Sequence, residues 1–458
     1  MKKLLCAALV GASLTGARAQ TVAESTWGPV IDGRLQGMLV LDMEDDADPA
    51  ALARDHGVRL EFVSAHSRRD KLMIARVEES QLLDTLAALN KDDRVTAVSP
   101  NYVYEAASEP GPTTTLNNTQ KFPDDPLYKI QWNLQMVNVE GGWKHNAGQN
   151  VRVAMVDTGL AYWNAEGHHR LEDLENLKVL EGYDFVREHA EARDEQGQGT
   201  HMAGTIAQST NNGKGAAGIA YEAQIMPFKV LDRQGRGSMA DVAAAIRLAG
   251  DRKAQVLVLG LGGPKSSEVL HEAVKHARSQ GAVIIAATGV KGNEEIPYPA
   301  AYPEVLAVSA VDYKGKLTDY SSRGPKIDLA APGGKNRQTD YSGIVQNTIR
   351  QGDARHSGYY QWSGTSMAAA HVAGVASLVV STGVQGPEAV EKILKETARS
   401  KGAKGKKQGY GAGIVDAGRA VAKAQEVAAY QQLRRHLPVG LFLALLAGLS
   451  LRRRNACS

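Results

Sequence analysis

Short apolar runs alternate with helical segments through the central part of the chain. The runs are rich in β-branched residues and lie at 151–156, 223–228, 256–260, 282–286 and 305–310. Segments with helical spacing lie among them, at 239–249 and 267–280. Strands that are separated by helices form a parallel sheet, and such a sheet is covered on both faces. The sequence therefore predicts an α/β domain over residues 126–426, with helices on both faces of a parallel sheet.

A smaller unit precedes this domain. Residues 33–106 contain strand-like runs and helix-like stretches in a β-α-β-β-α-β order, which predicts a small α+β domain. Residues 107–125 are rich in Pro, Thr, Asn and Gly without periodicity, and they predict a linker. Residues 385–427 predict two further helices.

Both ends of the chain carry export or membrane signals. Lys2 and Lys3 precede an apolar stretch that ends in Ala17-Arg18-Ala19, which predicts a signal peptide over residues 1–19. Residues 437–451 are uncharged and an arginine cluster follows, so 437–454 is predicted to attach the exported protein to a membrane. Fifteen residues span roughly 22 Å, less than the ~30 Å of a bilayer core. The alternative is a terminal helix that docks on the protein itself.

Charge and cysteine content argue against a nucleic-acid-binding protein and against a protein stabilised by disulfides. The net charge is +3 and no basic stripe is interleaved with aromatic residues, so a nucleic-acid partner is not expected. The two cysteines, Cys6 and Cys457, lie within the terminal segments. The body of the exported chain therefore has no disulfide, and its stability must come from its core.

Three motifs fall at the ends of the predicted elements. An apolar strand ends in Asp157-Thr158-Gly159, and Gly199-Thr200-His201 begins one helix. Gly364-Thr365-Ser366 opens a second helix of small residues. A serine at a helix start lies among free backbone N–H groups, which favour a developing negative charge. Singly, these motifs are typical of a turn or an N-cap, but an acid at a strand end with such a serine suits nucleophilic acyl transfer.

In this order, the motifs resemble the subtilisin family of serine proteases over residues 126–426. Further matching stretches are GYDFV at 182–186, YPAAYP at 298–303, SSRG at 321–324 and AAPG at 330–333. Residues 33–106 resemble the family's inhibitory propeptide, and in a chain without its base we expect this region to stay attached, with residues 102–107 in the groove beside Gly260–Gly262. The resemblance implies a subtilisin-like fold, extended peptide or protein substrates, and the chain's own propeptide as a partner. It implies no cofactor for the chemistry; calcium commonly stabilises the family, but its ligands are not assigned from this sequence.

The resemblance assigns the catalytic positions residue by residue. Asp157 matches the triad aspartate and Ser366 matches the nucleophile. The family's base is the first histidine of H-G-T-H, and here that position holds Gln198, whereas His201 matches the second histidine. Glutamine has no titratable nitrogen near neutral pH, so it cannot accept the serine proton.

The substrate-binding positions depart from the family pattern as well. Val290 stands where the family has its oxyanion asparagine, and Asn293 is the available substitute. The S-L-G-G of a typical substrate-binding strand reads Gly260-Leu261-Gly262-Gly263, whose backbone can still pair with an extended peptide.

Two hypotheses of different classes follow. One is an exported pseudoprotease that binds an extended peptide, its propeptide or a partner without cleaving it. The other is an active serine endopeptidase with a substitute base, from the substrate or from a loop histidine: His168, His169, His189 or His356. A purely structural surface module is the third alternative.

Overall fold

The structure is a computed structural model that describes residues 23–113, 122–164, 170–335, 341–401 and 409–436. The predicted signal peptide 1–19 and the C-terminal segment 437–454 lie outside these residues. Within the described ranges, no helix combines the length and apolar character needed to cross a membrane. The expected membrane attachment thus finds no support in the structure.

The N-terminal domain has the predicted β-α-β-β-α-β order, preceded by a hairpin that the sequence did not indicate. Its elements are β1 (Ala23–Ser25), β2 (Gly28–Ile31), β3 (Arg34–Met43), α1 (Pro49–His56), β4 (Arg59–Phe62), β5 (Leu72–Arg76), α2 (Leu82–Leu89) and β6 (Val95–Ala106). On β3, Leu39 and Leu41 join a core with Leu52 of α1 and Leu89 of α2. Helices therefore cover one face of this sheet.

The rest of the chain forms the larger domain. Its elements are β7 (Ser108–Thr113), α3 (Trp132–Met136), α4 (Val139–Trp143), β8 (Arg152–Asp157), β9 (Lys178–Val179), β10 (Tyr183–Asp184), α5 (Gln198–Ala207), β11 (Gln224–Lys229), β12 (Arg236–Ser238), α6 (Met239–Asp251), β13 (Val256–Leu259), β14 (Leu261–Gly262), α7 (Glu268–Ser279), β15 (Val283–Ala287), β16 (Val305–Val311), β17 (Leu329–Pro332), β18 (Ile344–Arg350), β19 (Asp353–Gly364), α8 (Thr365–Ser381), α9 (Pro387–Thr397) and α10 (Ala417–His436). The five predicted apolar runs are β8, β11, β13, β15 and β16.

The main sheet has the order β10-β11-β8-β13-β15-β16-β17, and β9 also pairs with β11. Its strand pairs are parallel. Alternate residues of β8 point to opposite faces: Val153 and Met155 share a core with α5 and α8, whereas Ala154 and Val156 share one with α6 and α7. The predicted α/β fold, with helices on both faces, is confirmed.

The free face of the N-terminal sheet packs on the larger domain. Val40, Leu72 and Ala97 belong to the same buried cluster as the apolar residues of α6 and α7. At the edge of this contact, Arg247 of α6 forms an ion pair with Asp42 of β3. The two domains therefore share one hydrophobic core.

Part of the predicted linker is a strand. Residues 108–113 form β7, which pairs antiparallel with β19 at the edge of a three-stranded sheet. Prolines disfavour central strands but fit an edge strand, where one side of the backbone needs no sheet partner. Composition alone suggested a linker because β19, the strand that supplies the pairing, lies far along the chain.

Candidate active site

Helix α5 starts at a position that tertiary contacts fix tightly. Gly197 precedes it with φ 108°, a backbone conformation that favours glycine. The buried carboxylate of Asp194 accepts hydrogen bonds from the N–H groups of Gln196, Gly197 and Thr200 at 2.9, 2.9 and 3.0 Å. These bonds satisfy donors that have no partner within the helix, and they place Gln198 in the first turn.

Three side chains meet where β8 ends and where α5 and α8 begin. The Gln198 amide nitrogen Nε2 lies 2.8 and 3.0 Å from the carboxylate oxygens of Asp157. The amide oxygen Oε1 lies 3.3 Å from the hydroxyl of Ser366, whose single proton is shared between this oxygen and the nearer Gly260 carbonyl. All three side chains are buried. The structure thus brings together the predicted residues, with a neutral amide between the acid and the hydroxyl.

The carbonyl of Gly260 connects this site to the neighbouring strand end. It accepts from Gln198 Nε2 at 2.9 Å, from the Ser366 hydroxyl at 2.9 Å and from the Ala107 N–H at 3.0 Å. A Cβ at position 260 would lie 2.2 Å from an Asp157 oxygen. A side chain at this position would therefore require Asp157 to shift.

Burial changes the acidity of Asp157. The carboxyl is fully buried, which raises its pKa to about 7, although hydrogen bonds from Thr158 and Gln198 oppose the shift. A neutral amide offers a dipole rather than a positive charge, so it stabilises the carboxylate less than an imidazolium does. Near neutral pH this acid exists in both protonation states.

A segment of the chain itself runs through the groove beside this site. Strand β6 pairs antiparallel with β14, Leu261 opposite Ala106 and Gly262 opposite Glu105. On its other edge β6 pairs with β12, which the sequence did not indicate. The predicted binding residues Gly260, Leu261 and Gly262 therefore contact an extended peptide, and that peptide is the end of the N-terminal domain.

The Ala107 carbonyl lies at the start of helix α8. The Ser366 N–H donates to it at 3.2 Å. Val290 lines a cavity of about 330 Å³ next to Ala107, and its side chain has no hydrogen-bond donor. Asn293 lines the same cavity, but its side-chain oxygen accepts from Ser322 at 3.3 Å. Among the described residues, the Ser366 N–H is thus the one donor found on this carbonyl.

Tyr104 anchors the segment in the groove. The side chain is fully buried, and a Cβ at Gly263 would lie 2.6 Å from its ring. The missing side chain at position 263 therefore makes room for the aromatic ring. The expectation that residues 102–107 occupy this groove is confirmed, whereas Ser108 was missed because it lies in the predicted linker 107–125.

The histidines of the described residues lie elsewhere. His201 is buried, which lowers its pKa to about 3, and its ring bonds the Ile344 carbonyl. His189 accepts from the Glu191 N–H, and His356 pairs with Asp353 at 2.7 Å. Two further candidate bases, at 168 and 169, lie outside the described residues. The structure therefore places neither His189 nor His356 in hydrogen-bond contact with Ser366.

Two buried carboxylates bear on the calcium that the resemblance brought into consideration. The carboxylate of Asp125 accepts from the Asn211 N–H at 2.8 Å, and Asp173 accepts from the Ala216 N–H at 3.0 Å. In the part of the chain that the structure describes, no three His, Cys, Asp or Glu side chains cluster as metal ligands.

Known proteases resemble this chain in sequence. The model of the subtilase family, peptidase S8, matches residues 148–413. Thermitase of Thermoactinomyces vulgaris is 37% identical over 262 residues, which is 57% of this chain and 86% of that protein. The thermostable alkaline protease of Halalkalibacterium halodurans is 32% identical over 396 residues, which is 82% of this chain and 94% of that protein.

A solved structure extends the likeness over both domains. Fervidolysin from Fervidobacterium pennivorans, described as a keratinolytic enzyme related to subtilisin, superposes with a TM-score of 0.70 at 25% identity. The match covers 88% of this chain and 64% of that one. With the parallel sheet, the buried acid and the serine at a helix start, these matches show that the chain belongs to the subtilase family.

Proposed function

We propose that this protein is a subtilase-fold pseudoprotease, which binds an extended peptide segment and does not cleave it. The observation that carries the proposal is the position of the Gln198 amide, whose Nε2 lies 2.8 Å from Asp157 and whose Oε1 lies 3.3 Å from the Ser366 hydroxyl. Gln198 occupies the place of the catalytic base between Asp157 and Ser366, and an amide does not take up a proton near neutral pH.

The loss of catalysis is expected to be large. In subtilisin, removal of the base costs about 10⁶ in turnover, and removal of one oxyanion donor costs about 10²–10³. Asp157 does not replace the base, because its carboxylate bonds Gln198 and Thr158 rather than Ser366. Val290 supplies no second donor to the Ala107 carbonyl.

The binding half of the proposal rests on the occupied groove. Backbone pairing with β12 and β14 holds the segment from both edges, and Tyr104 fills a pocket. Main-chain bonds supply affinity in this mode of recognition, and buried side chains supply specificity. The N-terminal domain is therefore the resident ligand, and a partner segment binds when this strand is displaced. The signal-like residues 1–19 support export of the protein.

Hydrolysis and labelling of the exported chain, residues 20–436, test the proposal. We expect no hydrolysis of a mixed peptide library and no labelling by a fluorophosphonate, because Ser366 has no base to raise its nucleophilicity. The reagents are applied to the intact chain, and again after limited digestion by an added protease that is then inactivated. Stoichiometric labelling that is lost in Ser366→Ala contradicts the proposal.

A further inference from the structure

Gln198 uses every hydrogen-bonding position of its side chain. Nε2 donates to Asp157 at 2.8 Å and to the Gly260 carbonyl at 2.9 Å, and a backbone carbonyl only accepts. These two acceptors fix the orientation of the amide, so Oε1 faces the other way. There it accepts from the Ser108 hydroxyl and lies 3.3 Å from the Ser366 hydroxyl, whose proton it shares with the Gly260 carbonyl.

The second hydroxyl belongs to the resident ligand. Ser108 directly follows Ala107, whose carbonyl bonds the Ser366 N–H. Opposite Ser108 in the strand register lies Gly364. A Cβ on Gly364 would lie 2.6 Å from the Ser108 Cβ and 2.4 Å from the Ala107 oxygen. The strand therefore approaches α8 closely, and this approach holds residue 108 within reach of Gln198.

We infer that Gln198 is a recognition residue whose amide oxygen selects a serine or threonine hydroxyl at the chain position that follows Ala107. The inference rests on the proposed function and deepens it. The ligand of this groove is then an extended segment with a buried aromatic residue, a small residue three positions later and a hydroxyl residue next.

The amide is suited to this task in a way that a neutral imidazole is not. A glutamine oxygen accepts two bonds at once while the nitrogen remains bonded to the acid. A neutral imidazole that donates to Asp157 has a single acceptor nitrogen, which can serve Ser366 or Ser108 but not both equally. The substitution that removes the base therefore adds a second acceptor contact to the groove.

Hydrogen exchange of the full-length chain tests the inference at position 108. Ser108→Thr keeps the hydroxyl, and Ser108→Val replaces it with a methyl group of the same shape. The N–H groups of Ala106 and Ala107 donate to the carbonyls of Gly235 and Gly260 at 2.9 and 3.0 Å, so their exchange reports strand opening. We expect Ser108→Val to exchange about fivefold faster than Ser108→Thr, the size expected for one neutral hydrogen bond. Glu109→Ala, at an exposed position, is the matched control and should leave exchange unchanged.

The same pair is then measured in a Gln198→Met background, where the difference between Thr and Val should vanish. If that background does not fold, the comparison in the native background still decides. Equal exchange rates for Ser108→Thr and Ser108→Val in the native Gln198 background overturn this inference. If the wild-type chain is also intact, the proposed function still stands. A wild-type chain that cuts itself between Ala107 and Ser108 instead overturns the proposed function.

Discussion

Restoring a histidine at position 198 should convert the groove into a protease. The Gln198 side chain spans Asp157, at 2.8 Å from Nε2, and Ser366, at 3.3 Å from Oε1. An imidazole in the same first turn of α5 can donate from Nδ1 to the acid and accept at Nε2 from the serine. Val290→Asn adds a side-chain donor beside the Ala107 carbonyl.

The expected gain follows from what each group contributes in subtilisin. The base accounts for about 10⁶ in turnover and an oxyanion donor for about 10²–10³, so Gln198→His alone should recover most of the effect. The substrate is already bound, because the Ala107 carbonyl lies 3.2 Å from the Ser366 N–H. The double variant should therefore cut its own chain once, between Ala107 and Ser108.

Intact mass and terminal sequencing of the purified double variant measure this cut directly. Adding Asp157→Asn should slow the cut by about 10⁴, because the imidazole loses its orienting carboxylate. Ser366→Ala should abolish it. A folded double variant that stays intact refutes the reasoning, since the groove then lacks productive geometry. A wild type as active as the double variant shows that another residue is the base.

Three further predictions follow from the same contacts. The pKa of Asp157 is about 7 in the folded chain, against an ordinary 3.8. Between these two pH values the folded chain binds more protons than the unfolded chain. The contribution of this carboxyl to stability therefore falls as the pH rises from 3.8 to about 7. The free energy of unfolding of Asp157→Asn relative to wild type, measured in urea, should therefore be higher at pH 7.5 than at pH 4 by up to about 4 kcal/mol. An equal difference at both pH values contradicts this prediction. Gly364→Ala should speed proteolysis of β7 by an added protease, because its Cβ would lie 2.4 Å from the Ala107 oxygen; unchanged proteolysis contradicts that packing. Tyr104→Ala should destabilise the folded chain by about 3–5 kcal/mol in urea unfolding, as expected for a fully buried aromatic residue, and a loss below 1 kcal/mol rules out its anchoring role.

Periodicity was sufficient to predict the main sheet and its helices. The apolar runs at 151–156 and 256–260 became β8 and β13, because a strand that is buried on both faces is apolar throughout. Helix α1 begins where the sequence supplies a cap: the Asp48 side chain accepts from the Ala50 N–H, and Pro49 opens the first turn. The main sheet could be found locally because each strand carries its own apolar signal.

The contacts that complete the site depend on residues far apart in the sequence. β7 needs β19, and the groove needs β12 at Arg236–Ser238, a short strand without an apolar pattern. Motif matching placed Asp157 and Ser366, but the bond from Ser108 to Gln198 joins positions that only the folded chain brings together. Local patterns contain no signal for such a contact.

The chain's own Ala107–Ser108 bond provides the most direct test of the central claim, that the site binds without cleaving. Wild type and Ser366→Ala are produced in a host that lacks relevant proteases, and their intact masses are compared after prolonged incubation. We predict the same mass pattern for both, with residues 33–106 still joined to the larger domain. A cut between Ala107 and Ser108 that appears in wild type and not in Ser366→Ala contradicts the account.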